Sequence, residues 1–202
     1  MLSRGFWKRI MGKNHKVEII ESYKGFHPPI PAKRIVERLL AGIPDTYLIG
    51  LQSVVLTNAS GLTGKQKRKK TWTRSRKILI QDAGGLYHRK WQNQSAWIEI
   101  FVDNLCKDWP RWAGRLPSLQ DIFVGEILFH ELGHHIHATQ SPEHKEREGV
   151  AEEWRTELER LYSRQKYRYL RPLARILYPI LRPLHLRLKR EFEPEKGKGT
   201  PR

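Results

Sequence analysis

The chain has 202 residues, with 38 Lys or Arg against 21 Asp or Glu, and a formal net charge of +17. A lone cysteine, Cys106, leaves no internal disulfide to form and excludes a stapled secreted scaffold. Charged residues at 29% and hydrophobic residues at 39% suit a folded domain with an appendage, and no apolar run approaches the ~20 residues of a spanning helix.

Residues 1–16 (MLSRGFWKRIMGKNHK) form a basic N-terminal segment without the apolar stretch of a secretory signal, so a cytoplasmic location is expected. Residues 17–22 (VEIIES) read as a short strand, closed off by Pro28, Pro29 and Pro31. In Ala32–Ala41, Ile35, Val36, Leu39 and Leu40 fall at helical spacing, and Gly42 and Pro44 stop the helix. Leu48–Thr57 is β-branched and apolar, as in a buried strand. Asn58, Ser60, Gly61 and Gly64 then open a loop into residues 65–77 (KQKRKKTWTRSRK), which hold eight basic residues and no acid. With Trp72 among them, these charges fit either a solvated connection or contact with nucleic acid.

Lys77–Gln81 predicts a short strand, followed by a turn at Gly84–Gly85. Ala96–Asp103 alternates, placing Trp97, Glu99 and Phe101 on one side and Ile98, Ile100 and Val102 on the other. Ser118 with Asp121 three residues on, after Pro117, predicts a capping box. The helix that follows presents Ile122, Gly125, Phe129, Leu132 and Ile136 on its core face and runs to about Ala138. Ser141-Pro142-Glu143 predicts the start of another helix, antiparallel to the first across a short connection. Strands followed by helices, without strict alternation, imply an α+β fold: a small mixed or antiparallel sheet packed on these helices. The domain is expected over 17–165, with a basic tail over 166–202.

The first of the two helices contains His130-Glu131-Leu132-Gly133-His134. Residues four apart share a helix face, so both imidazoles can reach one zinc ion at ~2.0–2.1 Å. Glu131 lies ~100° round the helix, where it suits a general base acting on water better than a ligand. Gly133 leaves room for another segment to approach closely. A third ligand is required, and the second helix offers Glu148 and Glu152. His134 is about one turn before the break and Glu148 about two turns after Ser141, so the two should face each other. Glu152 then comes level with His130, where it can accept that ring's other N–H. Glu148 is the assigned ligand; Glu152, Glu153 and His144 remain as alternatives. His137 is two turns from His130, ~10 Å along the axis and too far for the same ion.

These residues resemble the gluzincin metallopeptidases, over about 40 residues from His130 to roughly Leu161. In that family both histidines and a downstream Glu hold zinc, and the Glu of the first motif activates water. An Asp or Asn four positions after the ligand Glu usually steadies the first His; this chain has Glu152 there. A ligand at His144 would instead be similar to DNA-associated proteases of the Spartan type. The metzincin pattern is excluded, since it needs Gly at 137 and His at 140, where this chain has His137 and Gln140. The resemblance implies a zincin-like core and a zinc metalloendopeptidase in which Glu131 activates the attacking water. It also implies a substrate-pairing edge strand beside the motif helix, for which Ala96–Asp103 is the candidate; a plain central strand is the other reading. For an oxyanion stabiliser, Tyr162, His137 and Arg155 are near enough in sequence to consider.

Residues 160–190 carry ten basic residues and no acid. Leu170, Leu173, Leu177, Ile180, Leu184 and Leu188 step by three or four, while Pro172, Pro179 and Pro183 divide the stretch. Such a tail suits an anionic membrane surface, RNA or its own domain. The competing function is therefore a nucleic-acid- or membrane-surface-binding protein with an inactive or structural core. No oligomer is indicated.

Overall fold

In the computed structural model, which describes residues 16–73, 76–92, 94–107, 109, 116–140 and 148–166, the chain enters through a short strand, β1 (Glu18–Glu21). Pro31 leads into helix α1 (Ala32–Leu40), whose Ile35, Val36, Leu39 and Leu40 are buried as their spacing predicts. Strand β2 (Leu51–Thr57) starts three residues later than predicted, because Leu48, Ile49 and Gly50 form a turn after the 3₁₀ turn at Asp45–Tyr47. Helix α2 (Gly64–Lys67) is a single turn held by a reciprocal cap between Thr63 and Gln66. It opens the basic block, which continues as an antiparallel hairpin of β3 (Lys70–Thr73) and β4 (Arg76–Leu79). Strand β5 (Gly85–His88), absent from the sequence reading, pairs with β6 (Ala96–Phe101). Helices α3 (Val102–Cys106), α4 (Pro117–Gln140) and α5 (Glu148–Lys166) complete the fold.

The architecture is α+β, with a mixed four-stranded sheet in the order β1-β2-β6-β5. The first three strands are parallel, and β5 runs antiparallel to β6 along one edge. In this register Val54 and Leu56 stand beside Ile98 and Ile100, so one face is continuous hydrocarbon. Against it pack Ile35 and Leu39 of α1, Leu128, Phe129, Leu132 and Ile136 of α4, and Leu158 of α5. Each such side chain, fully buried, contributes ~1.5–3 kcal/mol relative to exposure. A smaller cluster lies round Phe101, Ala59 and Ala83, and Ile78 of β4, Ile80 of the 3₁₀ turn that follows it and Leu86 of β5 pack against it.

Four expectations need correction. Ala96–Phe101 is an interior strand between β2 and β5, so it is the plain central strand and not the edge; Val102 and Asp103 already belong to α3. Gly85 opens a strand where a turn was expected. Helix α4 begins at Pro117, which puts Ser118 inside its first turn, and Asp121 is no cap partner. Its buried carboxylate accepts hydrogen bonds from the Arg38 guanidinium and, at 2.6 Å, from the Tyr162 hydroxyl. Ile122, ~100° round the helix from Asp121, is 58% exposed; the covered stripe runs instead through Val124, Gly125, Leu128, Phe129, Leu132 and Ile136.

The chain divides into two units, 1–162 and 163–202. Of the second, residues 163–166 continue α5; the predicted amphipathic tail lies otherwise outside the described residues, as do Ser141-Pro142-Glu143, His144 and the side chain of Trp72. Among the described residues no helix is long and apolar enough to cross a membrane.

Candidate metal centre

Successive residues of a helix point ~100° apart, and the middle of α4 uses this fully. Gly133 faces α5: a Cβ there would lie 2.5 Å from the Ala151 carbonyl oxygen and 3.0 Å from its Cα. Only glycine permits that approach, as the sequence reading anticipated. His135 faces the sheet and is fully buried. Its Nε2 lies 3.1 Å from the Ile49 carbonyl and its ring meets Tyr87 of β5 edge-on. Burial pushes its pKa down to about 4, so it is a neutral core histidine, with the Ile49 hydrogen bond pulling weakly the other way.

His130 and His134 point to a third side, where the tight crossing at Gly133 delivers the first turns of α5. Glu148 Oε2 lies 3.4 Å from His130 Nε2 and 3.7 Å from His134 Nε2. These contacts are long for hydrogen bonds. They are close to the ~3.3–3.5 Å that separates neighbouring donors bound tetrahedrally at ~2.0–2.1 Å. The three ligand atoms all fall within 4.8 Å of one another. Two imidazole nitrogens and one carboxylate oxygen are a donor set that fits zinc and leaves a fourth position for water or substrate.

One turn further along α5, Glu152 Oε2 is 3.5 Å from His130 Nδ1. The His130 ring is thus bracketed, with Glu148 at Nε2 and Glu152 at Nδ1. Glu152 is level with His130 as helical spacing predicts, while Glu148, expected opposite His134, stands between the two imidazoles and slightly nearer His130. Glu152 in turn is gripped by Arg155, whose Nε lies 3.0 Å from Oε2 and whose Nη2 lies 2.5 Å from Oε1. Glu153 is exposed on another side of α5 and does not join the group.

Glu131 is buried and is not one of the three converging residues. Its side chain crosses β5 at Gly85, where a Cβ would come within 2.9 Å of Glu131 Cγ and 3.1 Å of Oε1. At Gly84 a Cβ would meet Ile127 Cδ1 at 2.5 Å. The two consecutive glycines therefore let the motif helix lie directly on the edge strand. From sequence alone they imply only a turn; two adjacent glycines ahead of Leu86-Tyr87 are the signal for a close approach. The oxyanion candidates fare differently from one another. The Tyr162 hydroxyl is engaged by Asp121, Arg155 is held by Glu152 and Glu159, and His137 is buried.

No protein-family model matches this chain, and neither a curated protein nor a solved structure does.

Proposed function

We propose that the protein is a zinc-dependent metalloendopeptidase with a zincin-like, gluzincin-type core. The observation that carries this reading is one carboxylate oxygen, Glu148 Oε2, placed 3.4 Å and 3.7 Å from the Nε2 atoms of His130 and His134. Support for the architecture comes from the HExxH helix lying on an antiparallel edge strand with α5 facing it, an argument by fold analogy.

Zinc bound by His130, His134 and Glu148 would polarise the scissile carbonyl and bring the pKa of water there towards ~7. Glu131 takes the proton of the attacking water and passes it to the departing amine nitrogen. Glu152, whose Oε2 stands 3.5 Å from His130 Nδ1, favours the proton on that nitrogen and so leaves the Nε2 lone pair for the ion. Among the described residues β5 has no strand on its outer side. An extended peptide can add there through main-chain hydrogen bonds, and its scissile bond would pass Glu131 over Gly85.

The test is elemental analysis of the purified full chain without an affinity tag. About one zinc per chain is expected, lost in the double variant His130→Ala, His134→Ala. Glu131→Gln should keep the zinc and abolish peptide hydrolysis. A chain that takes up no zinc on reconstitution refutes the proposal.

A second reading rests on the basic block that runs from α2 into β3. Lys65, Arg68, Lys69 and Lys70 are exposed, and no acidic partner accompanies them among the described residues. That charge suits the phosphates of nucleic acid or an anionic membrane surface. On this reading the protein binds a polyanion and its metal-ligand cluster is structural. Retained polyanion binding in Glu131→Gln, with no hydrolysis in the parent, would favour it.

A further inference from the structure

We propose that Arg155 is a positioning residue for the metal centre, acting through Glu152 on the orientation of the His130 imidazole. The inference rests on the metal reading above and extends it to a residue with no ligand role.

A glutamate at position 152 poses a mechanical problem. Its side chain has three rotatable bonds, and fixing it in one rotamer costs entropy. It also stands one turn from Glu148, so two carboxylates crowd one imidazole. Arg155 answers both difficulties. Three residues on and on the same helix face, its guanidinium reaches both oxygens of Glu152, Nε at 3.0 Å from Oε2 and Nη2 at 2.5 Å from Oε1. A planar fork meeting a carboxylate at two points fixes its plane as well as its position. The oxygen left facing His130 Nδ1 is the same Oε2, at 3.5 Å.

Arg155 is itself anchored from the other side. Its Nη1 lies 2.6 Å from Glu159 Oε1 one turn further along, so the guanidinium is held between two acids. It is also less exposed than either, at 18% against 36% and 38%. A loose surface pair would show the opposite ordering, with the long cation free in solvent. Its hydrogen bonds to Glu152, ahead of the charge of Glu159, outweigh burial and keep it protonated at all working pH.

The experiment measures zinc affinity of the full chain by competition with a chromophoric chelator, together with thermal unfolding of the metal-free protein. Arg155→Met should weaken zinc binding at least ten-fold, within the ~10–100-fold range typical of residues that orient a ligand from behind. Glu152→Gln should cost a similar factor, and the double variant no more than Glu152→Gln alone, because Arg155 acts only through that carboxylate. Arg155→Lys keeps the charge but not the two-point grip, and should fall between the parent and Arg155→Met. Glu159→Gln, which leaves the Glu152 contact in place, should stay within about three-fold of the parent.

If the parent binds zinc and Arg155→Met or Arg155→Lys binds it within two-fold, Arg155 is an ordinary surface ion pair and this inference fails alone. Additive losses in the double variant overturn it as well. A parent that binds no zinc overturns both the metal reading and the role of Arg155.

Discussion

Replacing Gly133 by alanine separates backbone propensity from packing by the sign of its effect. In an ordinary helix interior alanine is favoured over glycine by about 1 kcal/mol, so an uncrowded Gly133 would make the variant more stable. Here the new Cβ would stand 2.5 Å from the Ala151 carbonyl oxygen, where ordinary contact begins at 3.4 Å. The obstacle is backbone on both sides, so no side chain can swing away. Helix α5 must retreat by about 0.9 Å, the difference between those two distances. Overpacking of this kind costs ~1–3 kcal/mol. Glu148 lies three residues before Ala151, on the same face of the retreating helix, and metal–ligand distances tolerate only about ±0.2 Å. The expected outcome is a lower melting temperature in chelator and zinc affinity reduced at least ten-fold. Unfolding of metal-free protein and chelator competition read the two effects separately. A variant more stable than the parent, with zinc affinity within two-fold, would refute the close-crossing argument.

Three other outcomes are expected. Asp103 is partly buried, which raises its pKa, but hydrogen bonds from the backbone N–H groups of Ser60 and Ala59 outweigh burial and leave it lowered. Its stabilisation is therefore present above the unfolded carboxylate value of ~3.9 and lost as pH falls through the folded one. Asp103→Asn should cost about 1–2 kcal/mol in urea unfolding at pH 7, a deficit that shrinks as both proteins are acidified below about pH 4. Tyr162→Phe should lower stability by about 1–2 kcal/mol through the lost donor to Asp121 while leaving zinc affinity unchanged; altered zinc binding would contradict its placement away from the site. Reversing Lys65, Arg68 and Lys69 to Glu should weaken nucleic-acid binding measured by fluorescence anisotropy and flatten its salt dependence, since fewer counterions are released. An unchanged slope would remove α2 and the turn after it from the polyanion reading.

What could be read from the residues was governed by the distance over which each feature is decided. Helical spacing of 3.6 residues per turn puts Glu152 one turn beyond Glu148, so their placing against His130 and His134 could be anticipated from the sequence, although Glu148 stands slightly nearer His130 than the His134 it was expected to face. The close approach at Gly133 was legible for a similar reason, as a missing side chain on a helix otherwise rich in large ones. Strand β5 was not. Its four residues, Gly85-Leu86-Tyr87-His88, begin with a glycine and alternate too briefly to register, and only pairing with β6 makes them a strand. The interior place of β6 is likewise decided by neighbours on both sides. Asp121 sits at a spacing that suits a helix cap, yet Arg38, 83 residues earlier, and Tyr162, 41 residues later, claim its carboxylate. Local pattern cannot see partners at that separation.

The three consecutive residues Gly133, His134 and His135 bear on kinetics as well as geometry. They engage α5, the candidate ion site and the sheet in turn, so that turn of α4 is gripped from three directions at once. Rolling the helix in either sense would break the His135 bond to Ile49, drive Gly133 into Ala151, or do both. Backbone amides here should consequently exchange with solvent only through global unfolding and rank among the slowest in the chain. A captured ion would leave by loss of Glu148 from its outer side, not by motion of the two histidines.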